Sequence, residues 1–173
     1  AAVNMGQSSL NKLVEHSMAR RSKKITKPVL PDQRYRSIIV SKLITRIMKS
    51  GKKTTSEGIV YGALDIIAEK QKGDPIAVMD LALKNITPLL EVKPRRVGGA
   101  TYLLPVEVKQ DRGQALAIRW LLKASKERSG RTMAEKLAAE LLDASQKQGA
   151  AIKKREDTHK MAEANRAFVH YRW

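Results

Sequence analysis

The stretch Glu91–Val108, EVKPRRVGGATYLLPVEV, differs from the remainder of this 173-residue chain, most of which has helical spacing. Two runs of alternating apolar and polar residues flank a segment with Pro, two Arg and two Gly. Alternation with a period of two is typical of strands, so the stretch predicts a β-hairpin at about 89–108. An isolated ribbon of two strands is marginal in water, and we expect its base to pack on helices while Arg95–Gly99 projects.

The hairpin allows two interpretations, a structural flap or a contact with an anion. Leu90 and Val92 alternate with Glu91 and Lys93, which predicts an apolar face and a polar face on the first strand. The two arginines in the expected turn favour the contact with an anion, because a purely structural turn has no need of them.

Apolar residues at helical spacing predict three helices before the hairpin. The first covers about 32–50. In the second, Thr54 and Glu57 have the spacing of a capping box, and the third opens with Asp74-Pro75, an N-cap followed by Pro at the first helical position.

Three further helices are expected after the hairpin. The fourth ends at Gly130, the fifth opens with Thr132 and Glu135 in capping-box spacing and ends at Gly149, and the sixth extends to about Asn165. The apolar side of the fourth helix is expected to use Ala115, Ile118, Leu121 and Leu122.

These elements predict a mainly α fold, with six helices, one protruding two-stranded β-hairpin and a basic N-terminal arm. Residues 1–17 are interpreted as an N-terminal extension and residues 18–31 as the basic arm, since MARR at 18–21 resembles a natural start. Residues 32–173 are expected to form a single helical RNA-binding domain.

The charge of the chain indicates its kind of partner. There are 34 Lys and Arg against 17 Asp and Glu, a formal net charge of +17, which exceeds what solubility requires and indicates a polyanion. The basic residues are spread over several surfaces, without a reader helix and dimer signature, which favours folded RNA over duplex DNA. No apolar run reaches the about 20 residues that cross a bilayer. A basic helical protein on an anionic membrane surface is the alternative that uses the same charge.

No pattern predicts an enzyme, a cofactor or a metal site. The chain has no cysteine, and Gly51–Thr54 fails as a phosphate-binding loop because Arg46 stands where the earlier Gly is required. The pairs Lys136–Glu140 and Asp143–Lys147 are interpreted as ordinary helix pairs. The histidines lack the spacing of a zinc helix and are interpreted as solvated or RNA-facing: His16, His159 and His170.

Several basic segments are candidates for contact with phosphates. Four cations recur at intervals of 7, 4 and 3 along one side of the fourth helix and its entry: Arg112, Arg119, Lys123 and Lys126. The others lie in the arm, after the first helix and at the start of the sixth: Arg20, Arg21, Lys23, Lys24, Lys27, Lys49, Lys52, Lys53, Lys153, Lys154 and Arg155. The tail FVHYRW interleaves planar and cationic groups, which suits stacking on exposed bases.

Several long motifs resemble one known family. VKPRRVGGATYLLPVEV, ALAIRWLL and above all KKREDTHKMAEANRAFVHYRW closely resemble the bacterial-type small-subunit ribosomal protein seven, and GKKTTSEGIVYGALD fits its second helix. The resemblance covers Met18–Trp173.

The resemblance implies an RNA-binding scaffold that binds the 3′ major domain of small-subunit ribosomal RNA and nucleates assembly of the subunit head. Implied partners are exit-site transfer RNA, messenger RNA, ribosomal protein eleven and other head proteins. The basic candidates named above, with Arg95 and Arg96, are then expected to bind ribosomal RNA. The residues expected beside transfer RNA and messenger RNA are Arg95, Arg96, Val97, Gly98, Gly99, His170, Tyr171, Arg172 and Trp173.

Two departures from the family pattern affect the location and the partner. Leu103-Leu104 stands where family members often carry Gln, so the hairpin is open to a protein partner or to a slightly different surface. The extra Ala1–Ser17 and the particular residues of the long motifs favour a mitochondrial ribosome, with the bacterial cytoplasm or a plastid as alternatives. The alternative function is an RNA-modifying or RNA-processing factor, which would need a pocket of convergent titratable groups.

Overall fold

The computed structural model describes residues 29–71, 73–97 and 99–171, and these form six α-helices and one antiparallel pair of strands. The mainly α fold with its hairpin is therefore confirmed. The elements are α1 Ile38–Ile47, α2 Lys53–Gln71, α3 Pro75–Ile86, β1 Leu90–Val97, β2 Ala100–Glu107, α4 Gln110–Glu127, α5 Met133–Ser145, α6 Ala150–Ala164 and a 3₁₀ helix Arg166–Tyr171.

Helix α5 lies at the centre of the core and packs against α2, α3 and α4. Its residues Leu137 and Leu141 are fully buried, and the apolar faces of the surrounding helices complete one core cluster. The buried side of helix α4 is centred on Ala117 and Leu121, both of which are fully buried. Ala115 was expected on this side but is exposed, because a residue two positions from Ala117 lies almost opposite it at 3.6 residues per turn.

Side-chain caps start two of the helices as predicted. The Asp74 carboxylate accepts the Ile76 N–H at 3.0 Å, and Thr132 with Glu135 forms a reciprocal capping box at the start of α5. The capping box predicted for Thr54 and Glu57 is wrong. Helix α2 begins at Lys53, so Thr54 already lies inside its first turn, and Glu57 pairs with Lys53 at 3.3 Å.

The segment before α1 is held on α2 by polar contacts. Asp32 accepts hydrogen bonds from the N–H groups of Arg34 and Tyr35, each at 3.1 Å, and from the Tyr61 hydroxyl at 2.8 Å. The guanidinium of Arg34 pairs with Asp65 through both terminal nitrogens, at 3.1 and 2.7 Å. The chain therefore enters α1 from a fixed position against α2.

The hairpin connects its strands with two glycines. Val97 pairs with Ala100, and Gly99 has φ of +92°, a left-handed conformation that glycine adopts without steric cost. Arg95 and Arg96 were expected in the turn, but they belong to the end of β1. Both are exposed, and as consecutive strand residues they point to opposite faces.

At the base of the hairpin Glu91 of β1 is buried, whereas Leu90 is only partly buried. The Glu91 carboxylate lies 3.2 Å from Arg112 Nη2 on α4 and 3.0 Å from Lys93 Nζ. Burial alone would raise the pKa of Glu91, but hydrogen bonds and charges from Lys93 and Arg112 outweigh it, so the pKa is lowered. On β2, Leu104 is 3% exposed and belongs to the packed base, whereas Leu103 is 42% exposed.

The 3₁₀ helix returns to the hairpin. The rings of Phe168 and Tyr102 have centroids 5.4 Å apart at an interplanar angle of 49°, a tilted contact between the end of the chain and β2. Phe168 therefore packs on protein.

Candidate nucleic-acid interface

A first basic groove forms between the α1–α2 loop and α4. Lys49 and Lys52 from the loop and Lys126 from α4 line a groove of about 360 Å³ whose apolar wall includes Leu122 and Met133. The loop turns at Ser50 and Gly51, both with positive φ, which brings its lysines to the side of α4. Residues 74 or more positions apart in sequence thus present charge to one depression.

A second basic groove forms between α4 and α6. It is a smaller depression of about 130 Å³, lined by Lys123 of α4, Lys153 and Lys154 of α6, and Trp120. Glu127 lies in the same depression and its carboxylate is 3.8 Å from Lys123 Nζ, a weak surface pair.

Helix α4 joins the two grooves. Lys123 and Lys126 are three residues apart, and Arg119 precedes Lys123 by four, so all three lie along one side of the helix, and all are exposed. Together with the groove lysines they form what we call the basic surface: Lys49, Lys52, Arg119, Lys123, Lys126, Lys153 and Lys154. Seven of the predicted cations therefore share one continuous surface.

The lysines of α6 are positioned from the core by Glu140 of α5. This side chain is fully buried, accepts the Ala151 N–H at 2.9 Å and pairs with Arg128 Nε at 2.7 Å, while Arg128 also pairs with Asp143. The carboxylate thus caps the N-terminus of α6 at the helix end that favours negative charge. The interpretation of Glu140 and Asp143 as ordinary pairs with lysines is wrong, since both turn to Arg128.

Gly149, the N-cap residue of α6, has φ of +99° and lies so close to Glu140 that a Cβ there would be 2.9 Å from Oε1. The position therefore requires glycine both for its conformation and for its space.

Three other predicted cations lie elsewhere. Arg112 pairs with Glu91 at the hairpin base, and Lys53 pairs with Glu57. The Arg155 guanidinium turns inward, with Nη1 2.5 Å from the Asn85 carbonyl oxygen of α3. Each of the three thus contacts a protein group and lies outside the two grooves.

His159 was interpreted as solvated or RNA-facing, and that interpretation is wrong. Its Nε2 accepts the Leu89 N–H at 3.1 Å, and the ring lies between α6 and the segment before β1. Burial, reinforced by the positive charge of Arg155, lowers the pKa of His159. The contact with Leu89 joins residues 70 positions apart, which sequence spacing does not reveal.

Other predicted residues lie outside the described parts of the chain. They are Arg20, Arg21, Lys23, Lys24, Lys27, Gly98, Arg172 and Trp173, together with the side chains of Val97, His170 and Tyr171. Among the residues that the structure describes, no helix has the length and apolarity needed to span a bilayer. In those same ranges, no three His, Cys, Asp or Glu side chains come together as metal ligands would.

The sequence was then compared with known families and proteins. Residues 19–166 match the family model for ribosomal protein S7p/S5e. The chain belongs to this family. The small ribosomal subunit protein uS7 of Dehalococcoides mccartyi is 56% identical over 156 residues, which are 90% of this chain and 100% of that protein. With the same coverage, the proteins of that name from Heliobacterium modesticaldum and Xanthobacter autotrophicus are 58% and 56% identical.

Membership of the S7p/S5e family confirms the resemblance of the three long motifs and the interpretation as a non-enzyme. The family consists of structural ribosomal proteins, so the chain is a structural constituent of the small ribosomal subunit.

Proposed function

We propose that the protein binds small-subunit ribosomal RNA through the basic surface and thereby helps to assemble the head of the subunit. The observation that carries the proposal is the convergence of six lysines from the α1–α2 loop, α4 and α6 on two grooves, with Arg119 exposed along the same side of α4. These residues are far apart in the sequence and come together only in the fold. Because a net charge of +17 destabilises the compact state through self-repulsion, a polyanionic partner that neutralises the basic surface would stabilise it.

The basic surface suits RNA phosphates for a physical reason. Each lysine or arginine that contacts a phosphate releases condensed counterions, which favours binding at low salt. Trp120 lines the same groove as Lys123, Lys153 and Lys154, and we expect an unpaired base to stack on its ring next to the phosphate contacts. Capping of α6 by Glu140 holds two of these lysines in place before RNA arrives, which reduces the ordering cost of binding.

The finer features of the proposal come from the family resemblance. The RNA is expected to be the 3′ major domain, and the arm with Arg20, Arg21, Lys23, Lys24 and Lys27 is expected to extend the contact, as are Lys53, Arg112 and Arg155. The hairpin end, with Arg95 and Arg96 exposed, is proposed to lie beside exit-site transfer RNA and messenger RNA. The tail is proposed to reach toward transfer RNA and ribosomal protein eleven.

The relatives support a bacterial location within the proposal. The three uS7 proteins named above come from bacteria. They favour the small subunit in the bacterial cytoplasm over the mitochondrion that was expected from the residues of the long motifs.

The test is equilibrium binding to a 3′ major domain RNA fragment as a function of salt. For the wild type, log K is expected to fall linearly with log salt, by about 0.7–0.9 per phosphate contact. The double variant Lys123→Gln and Lys153→Gln should lose up to two contacts, so its slope should be shallower by about 1.4–1.8. Retained helical circular dichroism would establish that the fold is intact.

The matched control is Lys70→Gln with Lys147→Gln. It removes the same charge from two exposed lysines that line neither groove. Equal slopes for the two double variants would mean that binding follows net charge and not the basic surface. An affinity independent of salt would reject electrostatic RNA binding altogether.

A further inference from the structure

A third groove lies away from the basic surface, where α1, α3, α4 and α6 meet. Its volume is about 450 Å³, and its apolar lining comes from four helical or linker residues: Ile39, Leu83, Leu89 and Ile118. Leu89 is 74% exposed, although its N–H is fixed by the hydrogen bond to His159. An exposed apolar side chain at the rim of an apolar depression extends the apolar surface there, and such apolar patches are typical of interaction sites.

The rim of this groove is predominantly cationic. Lys42, Lys84 and Arg155 line it together with a single carboxylate, that of Asp80. Lys42 Nζ reaches Gln114 Oε1 at 3.4 Å, the long end of the hydrogen-bond range, so its other donors stay available. Charge complementarity therefore calls for an anionic group in the occupant.

One donor of the groove residues has no acceptor. Arg155 Nε is buried and lacks an acceptor among the residues that the structure describes. Because buried N–H groups of charged side chains are seldom left unsatisfied, the charge of this guanidinium is incompletely compensated and favours an anionic group nearby.

We propose that this groove receives a segment of another small-subunit protein that presents a carboxylate beside an aliphatic side chain. The aliphatic group would pack between Leu83, Leu89 and Ile118, and the carboxylate would accept from Arg155 and the rim lysines. An RNA segment fits less well, since its phosphates would meet the cations but leave the apolar floor without a partner. The inference requires that the protein enters the small subunit. It concerns a surface other than the basic surface, and it assigns Arg155 to a protein partner instead of to RNA.

Photocrosslinking in assembled subunits tests the proposal. A benzoyl-phenylalanine replaces Leu89 in the full chain, or Gln110 as a second exposed position on the lining, and small subunits from bacterial cells expressing the variant are irradiated. The expected adduct is a protein peptide with a carboxylate within two residues of an aliphatic side chain. Lys84→Glu should lower its yield about fivefold or more, as attraction between opposite charges becomes repulsion. Lys70→Glu should not.

Controls separate this proposal from that of RNA binding. The same photoreactive residue at Leu81, which is 49% exposed on α3 but outside the groove, should not give the adduct. At Lys123 it should crosslink RNA, and failure there would count against the basic surface and not against the groove. An RNA adduct at Leu89 and Gln110, a peptide without a carboxylate, or no adduct in subunits that contain the variant would each overturn the groove proposal.

Discussion

Substitution of Glu140 by Gln should destabilise the protein more than any surface carboxylate substitution. Glutamine keeps one oxygen that can accept the Ala151 N–H, but it places an uncharged amide against Arg128, whose Nε is 2.7 Å away. Loss of a hydrogen bond between charged groups costs about 1.5–3 kcal/mol. The full cost of about 3–5 kcal/mol for breaking a buried pair is not expected, because Arg128 keeps Asp143 and is 28% exposed.

We therefore expect Glu140→Gln to lower the free energy of unfolding by about 2–3 kcal/mol. In a chain of this size that corresponds to a fall in Tm of about 4–12 °C. The measurement is urea unfolding followed by circular dichroism, with calorimetry for Tm. The control is Glu127→Gln, whose partner Lys123 is 3.8 Å away and exposed, and which should cost at most about 0.5 kcal/mol.

A double-mutant cycle identifies the partner. Combining Glu140→Met with Arg128→Met removes both charges, so the double variant should be more stable than the sum of the single costs predicts, by about 1 kcal/mol or more. Costs that simply add, or a Glu140→Gln variant as stable as Glu127→Gln, would refute the reasoning that the buried pair holds α5 to α6.

Three further substitutions test local features. Gly149→Ala should lower the free energy of unfolding by about 1–3 kcal/mol, since φ of +99° with ψ of 168° is a conformation used almost only by glycine. The control Gly58→Ala, in the open interior of α2, should instead raise the free energy of unfolding by about 0.5–1 kcal/mol. Equal effects of the two substitutions in urea unfolding would contradict this. The lowered pKa of His159 means that the unfolded chain binds more protons, so stability should fall as pH drops below about 6.5 toward the folded pKa, and the same pH dependence in His159→Gln would disprove the role. Thr132→Ala should cost about 1 kcal/mol by removing the cap that accepts the Glu135 N–H, measured by urea unfolding, and no change would mean that the capping box does not stabilise α5.

The fold could be predicted largely because its signals are local. Helical spacing depends on neighbours three and four residues away, and caps such as Asp74 and Thr132 act within one turn. The Thr54 cap failed for a local reason too. With Thr54 as the N-cap the helix would begin at Thr55, two residues after its observed start at Lys53, and pairing of Glu57 with Lys53 accompanies the earlier start.

The candidate site was predicted less completely because the sequence shows which residues are charged but not which way their side chains point in the fold. Lys153, Lys154 and Arg155 read as one basic run, yet consecutive helical residues differ by about 100°, and Arg155 turns to Asn85. The buried role of Glu140 depends on Arg128 and Ala151, which meet it only after three elements have packed. A four-residue spacing to Lys136 gave a plausible but incorrect partner.

The hairpin described above is mechanically a lever. Strands of eight residues at about 3.4 Å per residue place the glycine turn about 24 Å from the root, so a rotation of only about 5° there would carry the turn through about 2 Å. The Glu91–Arg112 pair fixes the root, while Phe168 touches Tyr102, two residues from the tip end of β2. The end of the chain thus acts as a brace close to the moving end, where a small contact resists displacement most effectively.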